Sequence, residues 1–305
     1  MPKQNQILVV IVGPTAIGKT NLSIKLAEHY NSEIISADSR QFYKELKIGT
    51  AMPSEEDLLR VKHHLIGHLS IHDNYNAGEF EKDFLKALSE IFKKNNIAFL
   101  TGGSGLFIDA ALNGFDYFPN VDEKIRHELN YQFKEYGLSW LQSEIKAKDP
   151  EFFETSDKNN PRRLLRALEV CVSSGKTYSS FRTGNRNNRD FKTIKIFLNT
   201  ERKQLYERIN MRVEEMLLNG LLNEAKSLIG YKNLNALNTV GYKELFNYLD
   251  NKISLEKAIE MIKQNTRRYA KRQITWFKKD NDYMELNPED FKFILEYLKK
   301  EIEKT

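Results

Sequence analysis

The sequence has one cysteine, Cys171, so no internal disulfide is possible. It has no CxxC and no Cys/His cluster at metal-ligand spacing, which argues against zinc. A chain with so little cysteine suits a reducing compartment, and a cytoplasmic location is the expectation. Long apolar runs are missing as well. The longest, Ile7 to Val12, is far short of the roughly 20 residues that span a bilayer, and it leads straight into a glycine-rich loop. It reads as neither a signal peptide nor an anchor, so no membrane partner is expected. Internal repeats and low-complexity tracts are absent, and nothing in the sequence demands an obligate protein partner. With 305 residues, 40% of them apolar, the chain can bury one sizeable core plus one extra module, at roughly 100–200 residues per domain. Disorder and fibrous repeats are thereby excluded.

The formal net charge of +5 becomes informative once it is mapped along the chain. Between Lys158 and Lys192 nine Lys/Arg face two acids, and between Lys263 and Lys279 seven Lys/Arg face none. The rest of the chain is net acidic. Two local basic surfaces on an acidic background point to a polyanionic partner held at defined places, although solvated helix faces would give the same composition.

Ile7–Val12 is a continuous aliphatic run, the pattern of a strand buried on both faces of a parallel sheet. A glycine-rich turn, Gly13 to Thr20, joins it to an amphipathic helix, Asn21–His29. A second strand is expected over Glu33–Ala37, a helix over Ala77–Lys94 and a third strand over Ile97–Leu100. That last strand ends at Thr101-Gly102-Gly103-Ser104-Gly105. Strands alternating with helices predict an α/β fold with parallel βαβ units. From Pro119 to Phe191 strand patterns vanish, and Asn160-Pro161 and Gly175 mark a helix start and stop. A strand returns at Lys192–Asn199, and a long helix closes the pattern from Ser254 to Lys279. The expected organisation is a core of residues 1–118 and 192–305, interrupted by a helical insertion at 119–191.

Gly13-Pro14-Thr15-Ala16-Ile17-Gly18-Lys19-Thr20 matches GxxxxGK[ST], with a buried strand before it and a helix after it. Its glycines let backbone N–H groups turn toward phosphate oxygens, and the helix N-terminus adds partial positive charge. Lys19 brings a full charge. The Thr20 hydroxyl is placed to ligate Mg2+, a cation satisfied by few protein oxygens plus phosphate and water. A phosphate-bearing ligand follows, but the loop alone does not name the reaction. Nucleotide hydrolases usually carry an acid at the end of an apolar strand to help hold magnesium. The third strand here ends Ala98-Phe99-Leu100-Thr101 with no acid, whereas the second ends at Asp38. Nucleotide hydrolysis is therefore disfavoured.

The loop, together with Ile34-Ile35-Ser36-Ala37-Asp38-Ser39-Arg40-Gln41-Phe42-Tyr43, Ile48-Gly49-Thr50-Ala51-Met52-Pro53 and Gly102-Gly103-Ser104-Gly105-Leu106-Phe107, resembles the bacterial tRNA dimethylallyltransferase (IPP transferase) family. Asn160-Pro161-Arg162-Arg163-Leu164-Leu165-Arg166, Val240-Gly241-Tyr242-Lys243 and Ala270-Lys271-Arg272-Gln273-Ile274-Thr275-Trp276-Phe277 follow in the family's order. The resemblance covers the chain from about Leu8 to Lys279 and implies a P-loop NTPase-like core. It further implies transfer of a dimethylallyl group from dimethylallyl diphosphate to the exocyclic amine of the adenine following the anticodon. On that reading the loop holds the diphosphate, and Lys19 and Thr20 act on the charge that grows as the allylic C–O bond breaks. The resemblance places Asp38 beside the amine as proton acceptor and Ser104 near the reacting centre, where the family more often has threonine.

The partner implied is the anticodon stem-loop of tRNA, whose target base must leave its stack at a cost of a few kcal/mol. The resemblance assigns RNA contacts to Asp38, Ser39, Arg40, Gln41, Ser104 and Arg126, and to Arg162, Arg163 and Arg166. It also assigns them to Gly241, Tyr242, Lys243, Lys271, Arg272, Gln273 and Thr275. By helical spacing, Arg268, Lys271, Arg272, Thr275 and Lys279 fall within about a third of the last long helix's circumference, a usable phosphate track. Trp276 flanks it, as either core packing or a base-stacking platform. Three alternatives stay open on residues alone: a small-molecule kinase, prenyl transfer to a free adenine nucleotide, and a non-enzymatic RNA-binding module.

Overall fold

In the computed structural model the described residues are 6–182 and 189–304. Residues 183–188, which include Arg186 of the first basic segment, lie outside them. In chain order the elements begin with β1 (Ile7–Val12), α1 (Lys19–His29), β2 (Ile34–Ser36), α2 (Glu55–Arg60) and β3 (His63–His64). Next come α3 (Ala77–Phe92), β4 (Ile97–Gly102), α4 (Gly105–Asn113), α5 (Glu123–Lys148), α6 (Pro150–Thr155) and α7 (Pro161–Ser174). They are followed by β5 (Lys192–Leu198), α8 (Arg202–Leu218), α9 (Leu221–Leu228), α10 (Tyr242–Leu249), α11 (Leu255–Phe277), β6 (Met284–Leu286) and α12 (Phe291–Glu303).

The strands form one six-stranded sheet in the order β3-β2-β4-β1-β5-β6, parallel throughout. The α/β expectation holds. β1 lies centrally and all six of its residues are buried, as a continuous aliphatic run requires when helices cover both faces of a parallel sheet. The apolar cluster packed on it joins Val9, Ile11, Leu26, Phe99, Ile196 and Leu205. Each such side chain contributes about 1.5–3 kcal/mol on full burial. Local capping agrees with the ends: Asn76 forms a capping box with Glu79 at α3, and Ser254 accepts from the Lys257 amide at α11, each holding an otherwise unpaired first-turn N–H.

Two short edge strands were not expected. β3 is two residues long and β6 three, too short to show a period.

Register decides where the functional loops emerge. Val12 pairs with Gly102 and Ser36 with Thr101, so β1, β2 and β4 end level with one another. Their following loops leave side by side at the carboxyl edge of the sheet, the usual ligand edge of parallel α/β sheets.

The chain divides into two compact units, residues 1–113 with 188–305 and residues 114–187. The smaller is helical, built from α5, α6 and α7 around Leu129, Leu141, Ile145, Phe152, Leu164 and Leu168. α5 kinks at Gly137, whose φ is 73°. Asp149 is buried and accepts from the Phe152 amide (3.0 Å) and from the Ser179 amide (2.7 Å) and hydroxyl (2.5 Å), tying the start of α6 to the segment after α7.

Candidate active site

The loop between β1 and α1 turns through left-handed conformations at Ala16 (φ 63°) and Gly18 (φ 100°). Lys19, the first residue of α1, folds its side chain back along the loop and donates to the carbonyls of Gly13 (3.0 Å) and Pro14 (2.8 Å). Burial pulls the Lys19 ammonium down from 10.5 to about 8; Asp38 opposes this and Arg212 reinforces it. An enclosed ammonium next to a loop of amides is poised to gain from an anion.

Asp38 stands just past β2. Its Oδ1 accepts from the Arg40 amide (3.0 Å) and its carbonyl from the Gln41 amide (3.0 Å). The turn-capping role open to a loop aspartate is therefore real, and it aims the carboxylate while leaving further lone pairs available. Three distant groups share its electrostatic surroundings: Lys19, Arg212 of α8 and Tyr269 of α11. Arg212 has its pKa lowered by burial, against the pull of Asp38, and donates to the Thr50 carbonyl (3.3 Å). The Tyr269 phenol is pushed up to about 12, chiefly by burial and then by Asp38, while a hydrogen bond with Ser104 lowers it. The Ser104 hydroxyl in turn accepts from the Ser39 amide (3.1 Å) and lies 3.1 Å from the Ser39 hydroxyl.

Two cavities open here, both within the larger unit. One, of about 610 Å³, is lined by Thr15 to Thr20, with Ser36, Thr101, Arg208 and Met211 among its other walls. The other, of about 490 Å³, is bounded by Arg40, Asn238–Gly241, Asn265 and Arg272, with apolar side chains such as Val213 and Leu221. Thr15, Asp38, Arg212 and Tyr269 line both. A phosphate-side cavity thus adjoins a second one of mixed polarity, with one carboxylate in their common wall.

The structure sorts the residues singled out from the sequence. Lys19, Thr20, Asp38 and the loop from Thr15 line the first cavity, and Ser104 is joined to its surroundings through Ser39 and Tyr269. Ser39, Arg40, Gly241, Lys243 and Arg272 reach the second. Lys271, Arg268 and Thr275 are exposed on α11, and Lys279 is exposed in the turn just after it, since the helix ends at Phe277 rather than at Lys279. Arg126, Arg162, Arg163 and Arg166 belong to the helical unit, where Arg126 and Arg166 share buried Glu169 (3.6 and 3.5 Å). Trp276 is 46% exposed, yet its ring presses on Gly105 so closely that a Cβ there would lie 2.3 Å away. It therefore packs and remains accessible.

Three of the residues expected to contact RNA also carry buried structural contacts. Gln41 is 8% exposed and its amide donates to the Thr50 (3.2 Å) and Ala51 (3.0 Å) carbonyls. Tyr242 is fully buried beneath Gly49 and donates to Glu224 (2.6 Å). Gln273 is 5% exposed and engaged at both ends of its amide. These side chains hold loops together in the free protein. Glu224 completes one brace, accepting the amides of Lys47 (3.0 Å), Ile48 (2.9 Å) and Gly49 (2.9 Å).

Sequence reasoning missed Arg212, Tyr269, Asn265 and Thr266. Arg208 and Arg212 lie one turn apart, the available signal for a cationic helix face. Nothing local in the sequence directs that face toward Asp38.

The IPP transferase family model matches residues 41–280. The chain is 52% identical to the tRNA dimethylallyltransferase of Christiangramia forsetii, covering 97% of this chain and 98% of that protein. It is 47% identical to tRNA dimethylallyltransferase 1 of Bacteroides thetaiotaomicron, covering 96% and 95%. Among solved structures it is similar to the full-length tRNA isopentenylpyrophosphate transferase of Bacillus halodurans, with TM-score 0.72, 34% identity and coverage of 99% and 98%. It is also similar to a eukaryotic dimethylallyltransferase captured acting on tRNA, with TM-score 0.77, 27% identity and coverage of 94% and 75%.

Proposed function

The chain belongs to the IPP transferase family, and we propose that it transfers a dimethylallyl group from dimethylallyl diphosphate to the exocyclic N6 of the adenine 3′-adjacent to the anticodon in tRNA. One observation carries this: Asp38 stands in the wall common to a phosphate-loop cavity and a second cavity lined by hydrogen-bonding groups. The diphosphate occupies the first. The loop amides, Lys19 and Arg212 take up the charge that develops on the leaving oxygen, an effect worth several kcal/mol when the donors are already in place. The adenine occupies the second, its amine directed at the common wall. As the C–O bond breaks, the amine nitrogen bonds to the allylic carbon, its proton passes to Asp38, and diphosphate departs.

Magnesium belongs to the same reading. Thr20, Asp38 and Asp57 present hard oxygens to the phosphate-side cavity, a sparse set suited to a cation that keeps phosphate and water ligands. Thr20 would hold it, and when bound it would neutralise diphosphate charge. RNA is preferred to a free nucleotide as acceptor because Arg272, in the wall of the second cavity, continues into exposed Arg268 and Lys271 on α11 and Lys279 just after it. The helical insertion, with Arg126, Arg162, Arg163 and Arg166, adds further tRNA contacts. Among the described residues no helix is long and apolar enough to cross a membrane, and a tRNA substrate favours the cytoplasm.

The test is mass spectrometry of unmodified tRNA incubated with the protein, magnesium and dimethylallyl diphosphate. One isoprenoid unit should appear on the adenine next to the anticodon. Label reaching a small molecule from ATP, with the tRNA unchanged, would instead make the protein a kinase.

A further inference from the structure

Gln273 occupies an unexpected position on α11. Its neighbours Lys271 and Arg272 face outward, but its own carboxamide is buried and spans two loops from different strands. Its Oε1 accepts from the Thr15 amide of the phosphate loop (2.9 Å), and its Nε2 donates to the Gly103 carbonyl (2.9 Å). Thr15 lines both cavities, and Gly103 precedes Ser104. One planar group therefore sets the distance between the loop assigned to the diphosphate and the turn that carries the Ser104 hydroxyl.

The fit is tight on the turn's side. A Cβ at Gly103 would lie 2.2 Å from Gln273 Nε2, closer than any side-chain carbon tolerates. Two residues on, Gly105 meets the Trp276 ring in the same way. The glycines of this turn thus serve to let α11 lie directly upon it. A glycine-rich strand-to-helix turn needs glycine for its backbone, but it has no need of a buried amide that also reaches the phosphate loop.

We propose that Gln273 is a positioning residue which, through Thr15 and Gly103, holds the phosphate loop and the Ser104 turn in register for transfer. The proposal rests on the reading of the loop as a diphosphate site. It assigns Gln273 no contact with RNA. Without the carboxamide, a part-buried amide and a buried carbonyl lose their partners, and the loop is free to relax away from the geometry that binds diphosphate.

The test uses the full-length protein with magnesium pyrophosphate as probe in calorimetry and a fluorescent anticodon stem-loop in anisotropy. Gln273→Met keeps length and removes both hydrogen bonds. Pyrophosphate should bind at least about tenfold more weakly, and transfer at saturating donor should slow, while stem-loop affinity stays within about twofold. Gly103→Ala, which drives a methyl into Nε2, should weaken pyrophosphate similarly in the wild type. Added to Gln273→Ala, where the obstruction is gone, it should change affinity by less than about twofold, a non-additivity expected only of residues in contact. The pair also serves should Gln273→Met fail to fold. A folded Gln273→Met that binds pyrophosphate normally but loses stem-loop affinity overturns the proposal and makes Gln273 an RNA contact. Additive effects of Gly103→Ala and Gln273→Ala also overturn it. A wild-type protein that does not bind pyrophosphate removes the functional reading beneath it, an outcome distinct from the others.

Discussion

Raising the pH should weaken diphosphate binding through one side chain. In the free protein the Lys19 ammonium is held at about 8, mainly because it is buried, while Asp38 stabilises it and Arg212 works against it. A diphosphate seated on the loop places multiple negative charges beside Lys19 and lifts its pKa back toward or beyond the ordinary 10.5. Binding above pH 8 therefore takes up a proton, and apparent affinity falls as one plus the ratio of neutral to charged lysine. That is about twofold at pH 8 and about tenfold at pH 9, levelling off above the bound-state pKa. The free protein carries the opposite sign: its unfolded chain binds more protons between about pH 8 and 10.5, so stability rises with pH across that window. Calorimetry of magnesium pyrophosphate at about pH 7 and about pH 9, in two buffers of different ionisation enthalpy, measures both affinity and proton uptake. Lys19→Met supplies the baseline for the ligand's own titration. Identical pH slopes in the wild type and Lys19→Met would refute the assignment of this proton to Lys19.

Asp38→Asn should lower kcat by about 10²–10⁴ while stem-loop affinity stays within a few-fold; parallel loss of both would recast Asp38 as an RNA-positioning group. Replacing Arg268, Lys271 and Arg272 together with alanine should weaken stem-loop binding and reduce its slope against log salt by up to about 2, at roughly 0.7 per single-strand phosphate contact. An unchanged slope in filter binding would remove α11 from the RNA interface. Gly49→Ala should destabilise the protein by about 1–3 kcal/mol, because its Cβ would come within 2.6 Å of the buried Tyr242 ring and strain the hydroxyl's bond to Glu224. A melting temperature equal to that of the wild type would contradict that packing.

The parts of the fold legible in the sequence were those written in contiguous residues. β1 could be read because full burial leaves an uninterrupted apolar run, β5 because its later residues are mostly apolar and buried, and the phosphate loop because its function fixes four positions within eight. β3 and β6 could not: His63–His64 becomes a strand only because Ile34 and Ile35 lie beside it, and Met284–Leu286 only because β5 does. The site divides along the same line. Asp38 and Lys19 sit within motifs, whereas Arg212 and Tyr269 reach Asp38 from helices more than a hundred residues away along the chain, and only the folded packing brings them there. The loop-holding roles of Gln41, Tyr242 and Gln273 were not legible for a related reason. A motif marks a position as constrained without saying whether the constraint is a ligand or a neighbouring loop, and only the folded chain shows which loop is near.

The arrangement also bears on the order of events in the proposed reaction. A neutral exocyclic amine is a weak nucleophile and a far weaker acid than a carboxylic acid, so Asp38 cannot remove its proton first. Once the nitrogen has bonded to carbon it carries positive charge and its proton becomes acidic, and only then is a carboxylate an adequate acceptor. The cationic groups that stabilise the departing diphosphate, Lys19 and Arg212, share the surroundings of Asp38. Their presence makes departure of the leaving group favourable. As diphosphate charge grows, it draws those same cations toward itself. C–O cleavage thus leads, and the proton follows to the Asp38 carboxylate.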